Sequence, residues 1–153
     1  MGAVEDRLTG LGFAVPDVAK PIAAYVPAVK TGNYVFTSGQ LPLRDGQMIL
    51  TGKVGGEVSS EEAADCAKQC ALNAIAAVKA EIGDLDRVAR VVKAVVFVAS
   101  TPDFTGQPLV ANGASELFGA AFGDAGKHAR SAVGVPVLPL DSPVEVDLIV
   151  EVS

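Results

Sequence analysis

The chain has 153 residues, half of them hydrophobic and a fifth charged, with a formal net charge of -6 and a pI of about 4.7. That length supports a real core and that apolar content excludes disorder, so one domain over residues 1–153 is expected, with 1–20 as an N-terminal helix and loop extension. The acidic balance, without a lysine–arginine cluster or an aromatic stacking platform, argues against a nucleic-acid surface.

No apolar run approaches the ~20 residues that span a bilayer, so no membrane partner is expected. Met1 to Arg7 is acidic early and lacks a hydrophobic stretch, which is unlike a secretory signal. Asp6 stands where a myristoylation signal wants Ser or Thr. These features predict a cytoplasmic protein. Nothing has metal-ligand spacing, and His128 is the only histidine, so neither a metal nor another cofactor is expected.

In chain order, residues 3–13 predict a short amphipathic helix with Val4, Leu8 and Leu11 on one face, ended by Gly10 and Gly12. Pro16 and Pro21 mark a loop. Residues 24–30 read as an edge strand, because Pro27 cannot donate to an interior ladder. Thr31-Gly32-Asn33 is a turn, and Tyr34 to Ser38 is the second strand of a hairpin. Residues 41–57 are punctuated by Gly and Pro, with a short apolar piece at Met48-Ile49-Leu50.

Ser59 followed by Glu62 has the spacing of a capping box. From there Ala63, Ala67, Cys70, Ala74 and Val78 repeat at helical spacing until Gly83. Cys66 and Cys70 share that helix and read as small buried residues rather than a redox pair. Val88 to Val98 predicts a central strand beginning near Arg90, whose front end also suits the tail of a helix. A second helix is predicted over 107–122, with Pro108 in its first turn. Gly123 to Gly126 reads as a flexible linker.

Two strand-like runs close the chain, Ala129 to Val135 and Pro143 to Val150, facing each other across a Pro-rich turn. Arg130 enters the first where packing alone would not choose it. A guanidinium presents a planar fork of donors suited to a small carboxylate; the plain alternative is a surface pair with an acid such as Glu145. The whole order predicts an α+β domain, a mixed sheet with two main helices packed on one face. Its other face, rich in Val and Ala, would meet another subunit.

Gly32-Asn33 through Thr37-Ser38-Gly39-Gln40, Val92-Lys93 with Val96-Phe97-Val98, Ala129-Arg130-Ser131-Ala132-Val133, and Leu138-Pro139 followed by Val144-Glu145-Val146 together resemble the Rid family. These are the reactive intermediate deaminases, also known as YjgF and as L-PSP endoribonucleases. The likeness covers roughly residues 20–152. It implies a chorismate-mutase-like fold and a homotrimer whose sheets form an inner barrel, with clefts for a small carboxylate-bearing substrate between subunits.

The resemblance carries over residue by residue. Arg130 matches the arginine that clamps the substrate carboxylate, and Glu145 the acid that orients the attacking water. Ser38, Tyr25 and Asn112 match further cleft residues, with Ser131 and Ala132 beside the arginine. Ala132 stands where familiar members carry cysteine. Gly134 replaces a larger residue, and Lys127-His128 an apolar–Pro pair, which suggests a side branch with an altered pocket. The implied reaction is hydrolysis of a 2-imino acid, or an enamine such as 2-aminoacrylate, to a 2-keto acid and ammonia. A binding module using the same cleft without turnover is the alternative, and ribonuclease activity fits the charge least. Each residue also has a structural reading: Ser38 as a strand end, Tyr25 as a packed aromatic, Asn112 as a solvated helix residue, His128 as surface.

Overall fold

A computed structural model describes residues 2–18 and 24–153; Pro21, assigned above to a loop, lies outside them. Helix α1 spans Ala3–Gly10. The hairpin β1 (Ala28–Thr31) and β2 (Tyr34–Thr37) follows, then a small hairpin of β3 (Leu43–Arg44) and β4 (Gln47–Met48). Next come α2 (Ser60–Ile82), β5 (Val88–Ala99), α3 (Gln107–Phe122), β6 (Ala129–Val135) and β7 (Val144–Val152). The five longer strands form one mixed sheet in the order β1-β2-β7-β5-β6, in which only β5 and β6 run parallel.

Local chemistry accounts for the helix ends. The Ser59 hydroxyl accepts from the Glu62 amide while the Glu62 carboxylate accepts from the Ser59 amide, the reciprocal capping box. Gly83, at φ 83, stops α2 with a backbone conformation that a side chain would disfavour. Pro108 occupies the first turn of α3. α1 is capped from afar: the Asp86 carboxylate accepts from the Ala3 and Val4 amides, and these bonds hold that carboxyl below its ordinary range.

The alternation along β7 sets the two faces of the sheet. Val144, Val146, Leu148, Val150 and Val152 are buried under the helices, while Glu145, Asp147, Ile149 and Glu151 lie on the other face. α2 and α3 cover the first face and pack on each other. Their approach is close because Gly113 of α3 sits on the Ala64 backbone of α2, where a Cβ would collide. Among the described residues nothing covers the second face, which leaves Val29, Tyr34, Phe36 and Val133 exposed.

The structure corrects several expectations. β6 and β7 do not face each other. β5 lies between them, paired with β6 on one edge and β7 on the other, because the long apolar strand takes partners on both sides. β5 begins at Val88, and two bulges near its start put Ala89 and Arg90 in solvent between buried Val88 and Val91, a spacing that mimics a helix. β1 is shorter than expected, leaving Tyr25 and Val26 before it. α1 stops at Gly10, and Leu11 is exposed rather than sharing the buried face of Val4 and Leu8. Gly123–Gly126 is a short 3-10 turn instead of a flexible linker, with Gly126 against the Phe118 carbonyl.

The β3–β4 hairpin lies inside the stretch expected to be irregular. Its Asp45-Gly46 turn has both residues at positive φ, 53 and 79, the turn such a pair favours. Asn73 of α2 fastens this segment by donating to the carbonyls of Leu41 and Leu43.

Cys66 and Cys70 are buried and unbridged. Burial pushes the Cys66 thiol up to about 11 and also raises Cys70 well above its ordinary value, so both stay protonated and unreactive.

Candidate functional site

The candidate residues fall into two groups on opposite faces of the sheet. β6 forms one edge, and its register on β5 pairs Arg130 with Ala94, Ala132 with Val96 and Gly134 with Val98. Ala94, Val96 and Val98 are buried under the helices, so Arg130, Ala132 and Gly134 face α3. Arg130 is half-buried. Its Nη1 donates to Oδ1 of Asn112 at 2.8 Å and to Oγ of Ser115 at 3.2 Å, both from α3. A cavity of about 320 Å³ opens here, lined by Ser115, Gly119, Gly126, Lys127, His128 and Arg130. Farther along the groove, Gln107 crosses over Gly134 and donates to Ser100 and to the Phe104 carbonyl.

The second group surrounds Glu145. The register sets Glu145 beside Phe97, which in turn neighbours Val133, all on the uncovered face. The Gly39 backbone lies against the Glu145 carboxylate, so a side chain at position 39 would displace it. Gln40 holds this approach by exchanging two backbone bonds with Val146, 2.7 and 3.0 Å long. Burial, and then the neighbouring charge of Asp147, raise the Glu145 pKa above its ordinary value. Asp147 is raised too, by burial, with Lys93 opposing.

Ser38 lies next to this group. Its hydroxyl donates to the Val26 carbonyl at 2.6 Å, which ties the segment before β1 to the end of β2. Tyr25, in that segment, is 56% exposed. Ser131 pairs with Val95 and shares the face of Glu145 rather than that of Arg130.

Arg130 and Glu145 are therefore not a pair within the chain, which corrects the reading of Glu145 as the partner of Arg130. Ala94 lies opposite Arg130 and Phe97 opposite Glu145, three positions and two strand spacings apart. Their backbones are roughly 14 Å apart, at ~3.3 Å per residue and ~4.8 Å per strand, and their side chains leave opposite faces. The structure brings Asn112 to Arg130, with Ala132 on the same face, and on the other side sets Gly39, the chain neighbour of Ser38, against Glu145.

Sequence reasoning missed Ser115 and Gly39. Ser115 lies three residues after Asn112, so it shares a helical face with it, a signal that was available. Gly39 carries no such signal, because its contact with Glu145 depends on the pairing of Gln40 with β7. His128 is no loose surface residue either. Its ring is held by Ser115 and Gly126 and stands edge-on to Phe118 at 5.5 Å.

A larger hollow, about 440 Å³, lies between α2 and the β3–β4 hairpin and holds none of the predicted site residues. No cluster of three or more potential metal-ligating side chains occurs among the described residues. No helix there is long and apolar enough to cross a membrane.

Known proteins agree with this architecture over nearly its whole length. A family model described as "YjgF/chorismate_mutase-like, putative endoribonuclease" matches residues 5–152. Protein TCP17 of Trypanosoma cruzi is 46% identical over 153 residues, covering 99% of this chain and 96% of that protein. A 2-iminobutanoate/2-iminopropanoate deaminase of Dermatophagoides farinae is 32% identical over 143 residues, covering 92% of this chain and 95% of that protein. The crystal structure of Atu1372 from Agrobacterium tumefaciens superposes with a TM-score of 0.93 at 45% identity, covering 99% of this chain and 94% of that one.

Proposed function

The chain belongs to the YjgF/chorismate mutase-like family, and from that premise we propose that it hydrolyses small 2-imino acids, or their enamine tautomers, to 2-keto acids and ammonia. The observation that carries the reading is Arg130. It is a half-buried guanidinium beside a cavity, held by two neutral acceptors and by no carboxylate among the described residues. A structural arginine at such a position would be neutralised by an acid. This one keeps its charge for a ligand, and a planar fork of donors favours a carboxylate.

The chemistry needs little more. The C=N carbon is already electrophilic, so positioning supplies much of the rate. Water adds to that carbon to give a carbinolamine, the nitrogen takes a proton, and ammonia leaves as the carbonyl forms. Glu145, with its raised pKa, suits both proton movements: it takes one from water and returns one to nitrogen. Ala132 offers only its backbone and a methyl group, so no thiol takes part at that position.

The separation of Arg130 from Glu145 bears on assembly. One copy presents the arginine at its β6 edge and the carboxylate on its uncovered face. A site using both therefore takes Arg130 from one copy and Glu145 from the next. Exposed apolar residues on that uncovered face (Val29, Phe36, Val133) give it a reason to be covered. A homotrimer closed through these faces, with the sheets inside, meets both needs.

The test is to generate 2-aminoacrylate in situ and follow keto-acid release. The wild-type chain should accelerate release over buffer, and Arg130→Ala, folded and assembled as wild type, should lose at least ~100-fold of kcat/KM. Equal rates for the two proteins would remove the assignment.

A further inference from the structure

The hydrogen bonds of Arg130 specify more than its presence. Nη1 carries two protons, and both are used: one goes to Asn112 Oδ1 and the other to Ser115 Oγ. Among the described residues, Nε and Nη2 have no partner. The guanidinium is thus pinned by one nitrogen, and its Nε–Nη2 edge is the fork left for a ligand.

Ser115 is itself held. His128 Nδ1 lies 2.6 Å from the Gly126 carbonyl, which can only accept, so Nδ1 carries the proton. In the neutral ring Nε2 is then an acceptor, and it receives the Ser115 hydroxyl at 2.9 Å. With its proton directed to the imidazole, Ser115 Oγ turns a lone pair toward Arg130. The ring is fixed in turn by its edge-on contact with Phe118, at 5.5 Å and 89°.

We infer that Ser115 and His128 are positioning residues for Arg130. The relay from the Gly126 carbonyl through His128 and Ser115 locks Nη1, so that a substrate carboxylate is gripped side-on by Nε and Nη2. This deepens, and rests on, the reading of Arg130 as the carboxylate anchor. It gives the turn before β6 a role beyond linkage, because the Gly126 carbonyl sets the tautomer that begins the relay.

The experiment uses the full chain as it assembles, with pyruvate as the probe. Because the chain holds a single histidine, its imidazole nitrogens give an unambiguous long-range ¹H–¹⁵N spectrum. At a pH where the ring is neutral, that spectrum should show Nδ1–H. Calorimetric titration should show pyruvate binding weakened roughly three- to tenfold by Ser115→Ala, the worth of one hydrogen bond, and restored to within about twofold by Ser115→Thr. Thermal melts of the three proteins control for folding. An Nε2–H ring, or Ser115→Ala binding pyruvate as wild type does, overturns the inference and leaves the anchor intact. Wild type that takes up no pyruvate overturns the anchor reading and the inference with it.

Discussion

At the scale of single residues, burial decides which groups are poised for chemistry. Glu145 and Asp147 are carboxylates set among apolar neighbours, and burial raises both pKa values. The sign has two consequences. As the proposed base, Glu145 must be ionised, so turnover should fall as pH drops through its raised pKa, at higher pH than an ordinary carboxylate would dictate. Stability runs the other way. The folded state binds protons more tightly than the unfolded chain, so this contribution is fully present below the unfolded pKa and is lost as pH rises through the folded one. Glu145→Gln should therefore abolish the acid limb of the rate profile while flattening the pH dependence of melting across the same window. A variant that keeps the wild-type acid limb would show that another group is the base.

At the scale of elements, packing distance is the controlling quantity. α2 and α3 approach closely because small residues line their contact, and Gly113 is the tightest point. Gly113→Ala should cost about 1–3 kcal/mol by overpacking, seen as a lower melting temperature. Unchanged melting would mean that the helices separate at no cost.

This is also the scale at which the sequence was most legible. Ser59, Glu62 and Gly83 bound α2 in the string itself, and the predicted second helix coincides with α3. Local signals carry such elements because each is closed by neighbours a few residues away. The order β2-β7-β5-β6 was not legible in the same way. The pairing of β7 with β5 rather than β6 depends on which edge of the central strand is free, a non-local matter. Two bulges also disguised the start of β5 by breaking its alternation. The Asp45-Gly46 turn, by contrast, is a local signal, because such a pair favours positive φ at both positions.

The candidate site divides along the same line. Arg130 stands out in a string because a charge within an apolar run needs a reason. Its partners Asn112 and Ser115 come from a helix in another part of the chain, and Gly39 meets Glu145 only after β7 has paired. Ser115 carries the weak mark of helical spacing from Asn112, whereas Gly39, whose role arises only from contact across elements, has no local mark at all.

At the scale of the whole molecule, the proposed reaction requires a division of labour between copies. The chain sends Arg130 and Glu145 out of opposite faces of its sheet, so neither completes the other's site alone. Two disabled proteins should therefore rescue each other. Arg130→Ala and Glu145→Gln, each slowed at least ~100-fold, would be unfolded together, refolded as a mixture and assayed for keto-acid release from 2-aminoacrylate. With random mixing of copies, about a quarter of the sites regain both native residues, so activity should return to about a quarter of wild type. A mixture as inactive as its two components, with mixed assembly verified by mass, would contradict a site shared between copies.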